Sequence, residues 1–191
     1  MKASEIKKLV TGSKCVLIWV DGDGNQWISD GMRGMYAADD CIRLNEGNVL
    51  SVLDVDKDKR DKIQCSMGPS YDPRLSILPD EENDIRLRPV LSVYYADELI
   101  TLMRSEDGEL FGVRQSAIKP ANAKYGLTFF LRRREGTAPW VVCFENMLAS
   151  AVLLPEPGRV IEDIMNALKG MGDYKIVHYE KPDEEKAEPE E

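Results

Sequence analysis

Residues 19–36 read WVDGDGNQWISDGMRGMY. The centre of this stretch can be a calcium loop, a phosphate cradle or a turn, and only a turn makes the flanking apolar runs a β-hairpin. Asp21, Asp23 and Asn25 alternate as oxygen ligands do around calcium. An EF-hand loop, however, needs Gly at its sixth position and a bidentate Glu at its twelfth. Counting from Asp21 gives Gln26 and Met32, and counting from Asp54 in DVDKDKRDKIQC gives Lys59 and Cys65. Neither string closes around the ion. A P-loop needs G-x-x-x-x-G-K-[ST], which the chain lacks. The pair of Gly residues in GMRG (31–34) reads as backbone geometry. The stretch is therefore read as a hairpin. KCVLIWV (14–20) is one strand, QWISD (26–30) is its partner, and DGDGN supplies residues that tolerate positive φ.

Further along, the device repeats. LITLMR, SEDG and ELFGVR span 99–114, and aligning Gly24 with Gly108 sets Asp23 on Asp107, Trp27 on Phe111 and Ile18 on Leu102. A third pair of apolar runs, WVVCFE and LASAVLLP (140–155), flanks Asn146. Helical signals lie between the hairpins. Ser4 followed by EIKKLV predicts a short helix with a hydroxyl cap and Gly12 at its end. NVLSVLDV (48–55) predicts another, capped by Asn48. RVIEDIMNALKG (159–170) has Val160, Ile161, Ile164, Met165 and Leu168 on one stripe and Gly170 at the C-terminal cap. GLTFFLRRR (126–134) is a strand with a basic end, and the lone His, His178, sits in the alternating run YKIVHYE. Together these predict an α+β fold, a mainly antiparallel sheet of hairpins covered by a few helices. The expected divisions are a helix-hairpin-helix unit at 1–65, a Pro-rich loop or boundary at 66–89, and a second hairpin-rich unit at 90–179 that joins the first or stands apart. An acidic tail at 180–191 completes the chain.

Of 191 residues, 43% are hydrophobic and 31% charged, as in a soluble globular chain. No apolar run reaches the ~20 residues of a membrane span, and MKASEIKKLV lacks the apolar core of a signal peptide, so a cytoplasmic protein is expected. Cys15, Cys41, Cys65 and Cys143 are scattered, which reads as packing thiols and not as a zinc site. The net charge of −9 is uneven: residues 180–191 hold seven acids and two lysines. With two Pro and no large apolar side chain, that tail is expected to be disordered.

Candidate chemistry is sparse. There is no G-x-S-x-G elbow, and no pair of carboxylates stands in an apolar setting that would separate their pKa values. Asp39 and Asp40 read as a solvated turn or a carboxylate pair for a divalent ion. No cofactor or resident metal is expected. LRRRE (131–135) with Lys119 and Lys124 is a candidate phosphate-binding patch through Arg132, Arg133 and Arg134, with Tyr125, Phe129 and Phe130 available to stack. Side chains alternate along a strand, which sets Phe129 opposite Phe130 and Arg133 opposite Arg132 and Arg134. A solvated strand end explains the same residues.

SDGMRGMY resembles the Asp-Gly-x-Arg turn of bacterial DNA processivity clamps, matched here by Asp30, Gly31 and Arg33. The resemblance implies a repeated helix-and-hairpin shape. GSKCVLIWVDGDGNQWISDGMRGMY, VRQSAIKP and GLTFFLRRREG resemble accessory proteins of phages and integrative elements of gut Firmicutes, among which are anti-CRISPR inhibitors of Cas9-type nucleases. That resemblance implies a non-enzymatic interaction protein acting on a host nucleic-acid enzyme. Acids expected in exposed turns would face the basic channel of such an enzyme. They are Asp21, Asp23, Asp30, Asp39 and Asp40, with Asp80, Glu81, Glu82 and Asp84 further on, and Trp27 is a candidate anchor. The alternatives are a nucleic-acid-binding module contacting DNA or RNA through the Arg132–Arg134 region, and a metal-dependent hydrolase.

Overall fold

The computed structural model describes residues 2–38, 42–68, 75–80, 82, 84–121, 126–133 and 138–170. Within these, ten strands form a single sheet flanked by five helices. In chain order they are α1 (Ala3–Ser13), β1 (Cys15–Val20), β2 (Gln26–Ser29), β3 (Gly34–Ala37), α2 (Val49–Val52), α3 (Lys57–Arg60) and β4 (Gln64–Met67). Then follow β5 (Asp84–Tyr95), β6 (Glu98–Ser105), β7 (Leu110–Arg114), α4 (Gln115–Ile118) with a 3-10 turn at Lys119–Ala121, β8 (Thr128–Arg132), β9 (Trp140–Glu145), β10 (Leu148–Leu153) and α5 (Gly158–Gly170). The strand order is β4-β1-β2-β3-β10-β9-β8-β5-β6-β7. Every pairing is antiparallel except β1 with β4. The α+β reading holds.

Turn chemistry explains the hairpins. At both 21–25 and 105–109, Gly at the fourth position takes φ of +88°, and its N–H donates over 3.1 Å to the carbonyl of Asp21 or Ser105. This is a type I turn closed by a left-handed Gly, the usual three-residue hairpin loop. The strand registers also match at an offset of 84: Ile18 faces Ile28 as Leu102 faces Gly112. Two-residue turns with positive φ at both centres join β9 to β10 (Asn146, Met147) and β5 to β6 (Ala96, Asp97).

Helix starts differ from the sequence expectation. Helix α1 begins at Ala3, with Ser4 inside it and Lys2 at the cap, because the Lys2 N–H is held by the Pro120 carbonyl at 3.0 Å. It runs through Gly12 and ends on Lys14 in the left-handed region. Asn48 stands at the cap of α2 but its side chain serves the loop before it, donating to the Arg43 carbonyl and accepting from Asn45 N–H.

Alternation along the strands buries both sheet faces. One face carries Val16, Ile18, Ile28, Tyr36, Met103, Leu131, Val141, Cys143 and Leu153 against α1, α2 and α4. The opposite, outer face has two apolar patches. Trp27, Met35, Val142, Phe144 and Val152 lie under Leu75 and Ile77 of the segment 75–80, while Ile100 and Leu102 lie under α5. Burying Ile161 and Ile164 of α5 contributes about 1.5–3 kcal/mol each. Gly112 permits this approach, since a Cβ there would stand 2.5 Å from Ile161 Cδ1.

Within 66–89, Ser66 and Met67 belong to β4 and residues 84–89 to β5. The β3–β10 pairing runs the sheet through both 1–65 and 90–179. The strand-like run 174–180 and the acidic tail lie outside the described residues, as do Asp39, Asp40, Glu81, Lys124, Arg134 and His178.

Candidate functional site

The acids expected on the surface divide sharply. Asp21 is 4% exposed, and its carboxylate accepts hydrogen bonds from the N–H groups of Asp23 (3.0 Å) and Asn25 (2.8 Å), the Asn25 amide and Trp27 Nε1 (3.1 Å). Asp30 is 3% exposed and accepts from the N–H groups of Met32 and Arg33 at 3.0 and 2.9 Å. Trp27 is fully buried. These three residues are corrected from surface contacts to turn-building and packing groups, because all three are buried and the two carboxylates are turned onto the N–H groups of their own turns. Asp23 remains exposed.

The basic patch divides in the same way. Arg132 is buried, and its Nε and Nη2 each donate to Asp84 over 2.7 Å. It also donates to the carbonyls of Ser76 (3.4 Å) and Leu78 (3.2 Å), fastening the segment 75–80 to the sheet. Arg133 is exposed but paired with Glu109, its guanidinium 6.0 Å from the centre of the Phe111 ring. Lys119 is exposed on the 3-10 turn. Arg132 is therefore corrected from a phosphate ligand to half of a buried ion pair.

A cleft of about 250 Å³ lies where the Asp30 turn meets the end of β7 and residues 154–157. The turn delivers Arg33 to Ser116 Oγ (3.0 Å) and to Glu98 (3.3 Å). Arg114 meets Glu156 through Nε at 2.6 Å and approaches Glu98 at 3.6 Å. The other Glu98 oxygen accepts from Ser116 at 2.8 Å. Hydrogen bonding to Glu156 raises the Arg114 pKa still further. Every carboxylate oxygen in the cleft already has a donor, so the cluster is a clasp between the two halves of the sheet.

Strand β5 offers an open edge inside the sheet. Strand β8 covers only Asp84–Leu87; from Arg88 to Tyr95, β5 has β6 on one side and, among the described residues, no strand on the other. This stretch exposes Val90 (58%), Leu91 (42%) and Tyr94 (80%). The register shifts between Pro89 and Leu91, and Pro89 itself brings no N–H. A bulge and a Pro are devices that limit indiscriminate edge pairing, yet five further residues of edge remain open. The run VLSVYY carried a strand signal in its branched and aromatic residues. Its turn, Ala96-Asp97, lacks the Gly or Asn that marks an Asn-Gly or Asp-Gly hairpin, which is why the sequence did not reveal it.

Among the described residues no helix is long and apolar enough to cross a membrane. None of the protein-family models, curated proteins or solved structures compared with the chain matches it.

Proposed function

We propose that the protein is an interaction protein of a phage or mobile element that binds a host nucleic-acid enzyme, such as a Cas9-type nuclease, and inhibits it through the open edge of β5. The carrying observation is that edge, with Val90, Leu91 and Tyr94 exposed beside it. An extended segment of a partner can pair with the free backbone groups while its alternate side chains meet the exposed apolar ones, the strand-addition mode of recognition. Tyr94 is a suitable anchor, since aromatic side chains dominate the energetics of small interfaces. The resemblance of the stretches 12–36, 113–120 and 126–136 to accessory proteins of mobile elements supports the choice of a nucleic-acid enzyme as partner. The exposed acids Asp23, Glu106 and Asp107 would speed association with such a basic partner at low salt.

The test is a titration of nuclease–guide RNA complex with the protein, read by DNA cleavage and by direct binding. Tyr94→Ser with Leu91→Glu should leave the thermal midpoint nearly unchanged, because both side chains are exposed, and should reduce inhibition at least tenfold. Wild-type protein that neither binds nor slows the nuclease at low salt removes this reading for that target. Unaltered inhibition by the double variant removes β5 as the contact.

A further inference from the structure

The stretch DIRLRPV (84–90) alternates, and the alternation sorts its residues between the two faces of the sheet. Ile85 and Leu87 join the inner core, which sets Arg86 and Arg88 on the outer face; in β6, Met103 points inward and Arg104 outward. The three arginines stand in a furrow between two covered patches. On one side segment 75–80 lies over β9 and β10, and on the other α5 lies over β6 and β7. All three are exposed. Arg88 and Arg104 are direct cross-strand partners, with Cα atoms about 4.5–5.5 Å apart, and Arg86 stands ~6.8 Å from Arg88 along the strand.

Like charges paired in this way repel and destabilise a sheet. Nothing in the fold offsets the repulsion: among the described residues none of the three arginines makes a hydrogen bond or an ion pair, whereas Arg33, Arg114, Arg132 and Arg133 all do. Arg88 and Arg104 line a groove of about 520 Å³, and Glu106 and Asp107 on its rim stay outside ion-pair distance. A local arrangement that costs stability and serves no packing marks a place where a ligand supplies the compensation. Here that ligand is an anion, and the residue type and its neighbours narrow the choice. A guanidinium offers a planar fork of donors that matches phosphate oxygens two at a time, and its flat face stacks on a base. Phe130 of β8 is the cross-strand partner of Arg86 on the same face, and Leu91, 42% exposed, follows Arg88 there. Cations for a backbone beside apolar surface for its bases make the layout of a single-strand site.

We infer that the Arg86–Arg88–Arg104 furrow binds the phosphate backbone of single-stranded nucleic acid. Arg88 and Arg104 are close enough to share one phosphate, and Arg86 meets the next along the chain. This site is separate from the 131–135 stretch, whose Arg132 is taken up by Asp84. It belongs to this chain alone and does not depend on the partner proposed for β5.

The test is a titration of the full chain with an oligothymidylate of about ten nucleotides, read by fluorescence anisotropy and by nitrogen–proton spectra. With three phosphates neutralised, affinity should fall roughly a hundredfold between about 20 and about 200 mM salt, a logarithmic slope near −2. The spectral shifts should map to residues 86–88 and 103–105. Arg88→Thr with Arg104→Thr should lower affinity at least about tenfold at the lower salt and bring the slope to about −0.7. The same double variant should keep its thermal midpoint or raise it, since the repelling pair is gone. Glu106→Gln with Asp107→Asn should tighten binding severalfold, and Lys119→Ser, at an exposed cation on another element, should leave it unchanged. No binding at the lower salt would overturn the inference, as would unaltered affinity in the arginine double variant or shifts confined to other strands. A fall in that variant's midpoint of more than about 4 °C would make the arginines structural and overturn it too. Displacement of the oligonucleotide by an equal concentration of polyglutamate of the same charge would overturn it in favour of an acidic peptide.

Discussion

Asp84→Ala tests whether Arg132 is structural. The pair lies with both side chains nearly sealed from water, 1% and 3% exposed, and with two N–H···O contacts of 2.7 Å. At charge separations near 4 Å and an effective dielectric of about 20, the attraction is roughly 4 kcal/mol. Removing one partner of a buried pair costs about 3–5 kcal/mol, because the other charge stays buried. The guanidinium would retain the Ser76 and Leu78 carbonyls at 3.4 and 3.2 Å, which softens the loss toward the lower figure. A decrease of about 3 kcal/mol is a large part of the ~5–15 kcal/mol that holds a domain folded. Urea denaturation should show the midpoint falling with the slope unchanged. Arg132→Met should cost a comparable amount, and the double variant much less than the sum, since neither charge is then left alone. A loss below about 1 kcal/mol for Asp84→Ala would refute this reasoning and return Arg132 to the candidates for phosphate contact.

Two further outcomes follow from turns and burial. Ala96 holds a left-handed conformation at φ 47°, which costs a residue with a Cβ about 1 kcal/mol, so Ala96→Gly should raise stability by up to that amount in thermal or urea melts. Alkaline pH should destabilise the fold. Burial raises the pKa of Cys143 above its ordinary 9.0 and that of Tyr36 above 10.0, and the Tyr36 hydroxyl donates to the Ala117 carbonyl at 3.1 Å. The folded chain keeps both protons while the unfolded chain loses them. Stability is therefore full below pH 9 and falls above it, by up to about 1.4 kcal/mol per pH unit for each ionising group. Cys65, also raised by burial but less enclosed, adds a smaller part. Cys143→Ala should flatten the first stage of that decline in urea melts taken from pH 8 to 11.

The hairpins were legible because their loops speak through local chemistry. Gly24, Gly108 and Asn146 occupy positions that demand positive φ, and no distant residue is needed to see it. Helix α5 was legible for a similar reason, its apolar stripe lying within 13 residues, although Gly170 is its last helical residue and not a left-handed cap beyond it. What the site does with its charges was not. Asp21 and Asp30 look solvated in a list of turn acids, yet each folds back onto its own backbone and is sealed. Arg132 looks like one of three basic neighbours, but its partner stands 48 residues earlier, a pairing only the β5–β8 register creates. Strand β4 was missed because its alternation, QCSM, is only four residues long and its parallel partner, β1, lies about fifty residues earlier.

Amide hydrogen exchange across β5 tests the proposed role most directly. In the free protein the open-edge N–H groups between Val90 and Tyr95 should exchange quickly, and saturating nuclease–guide RNA complex should slow them at least tenfold while leaving β1 and β9 unchanged. Protection elsewhere on the chain, with these residues exchanging as before, would contradict β5 as the contact surface.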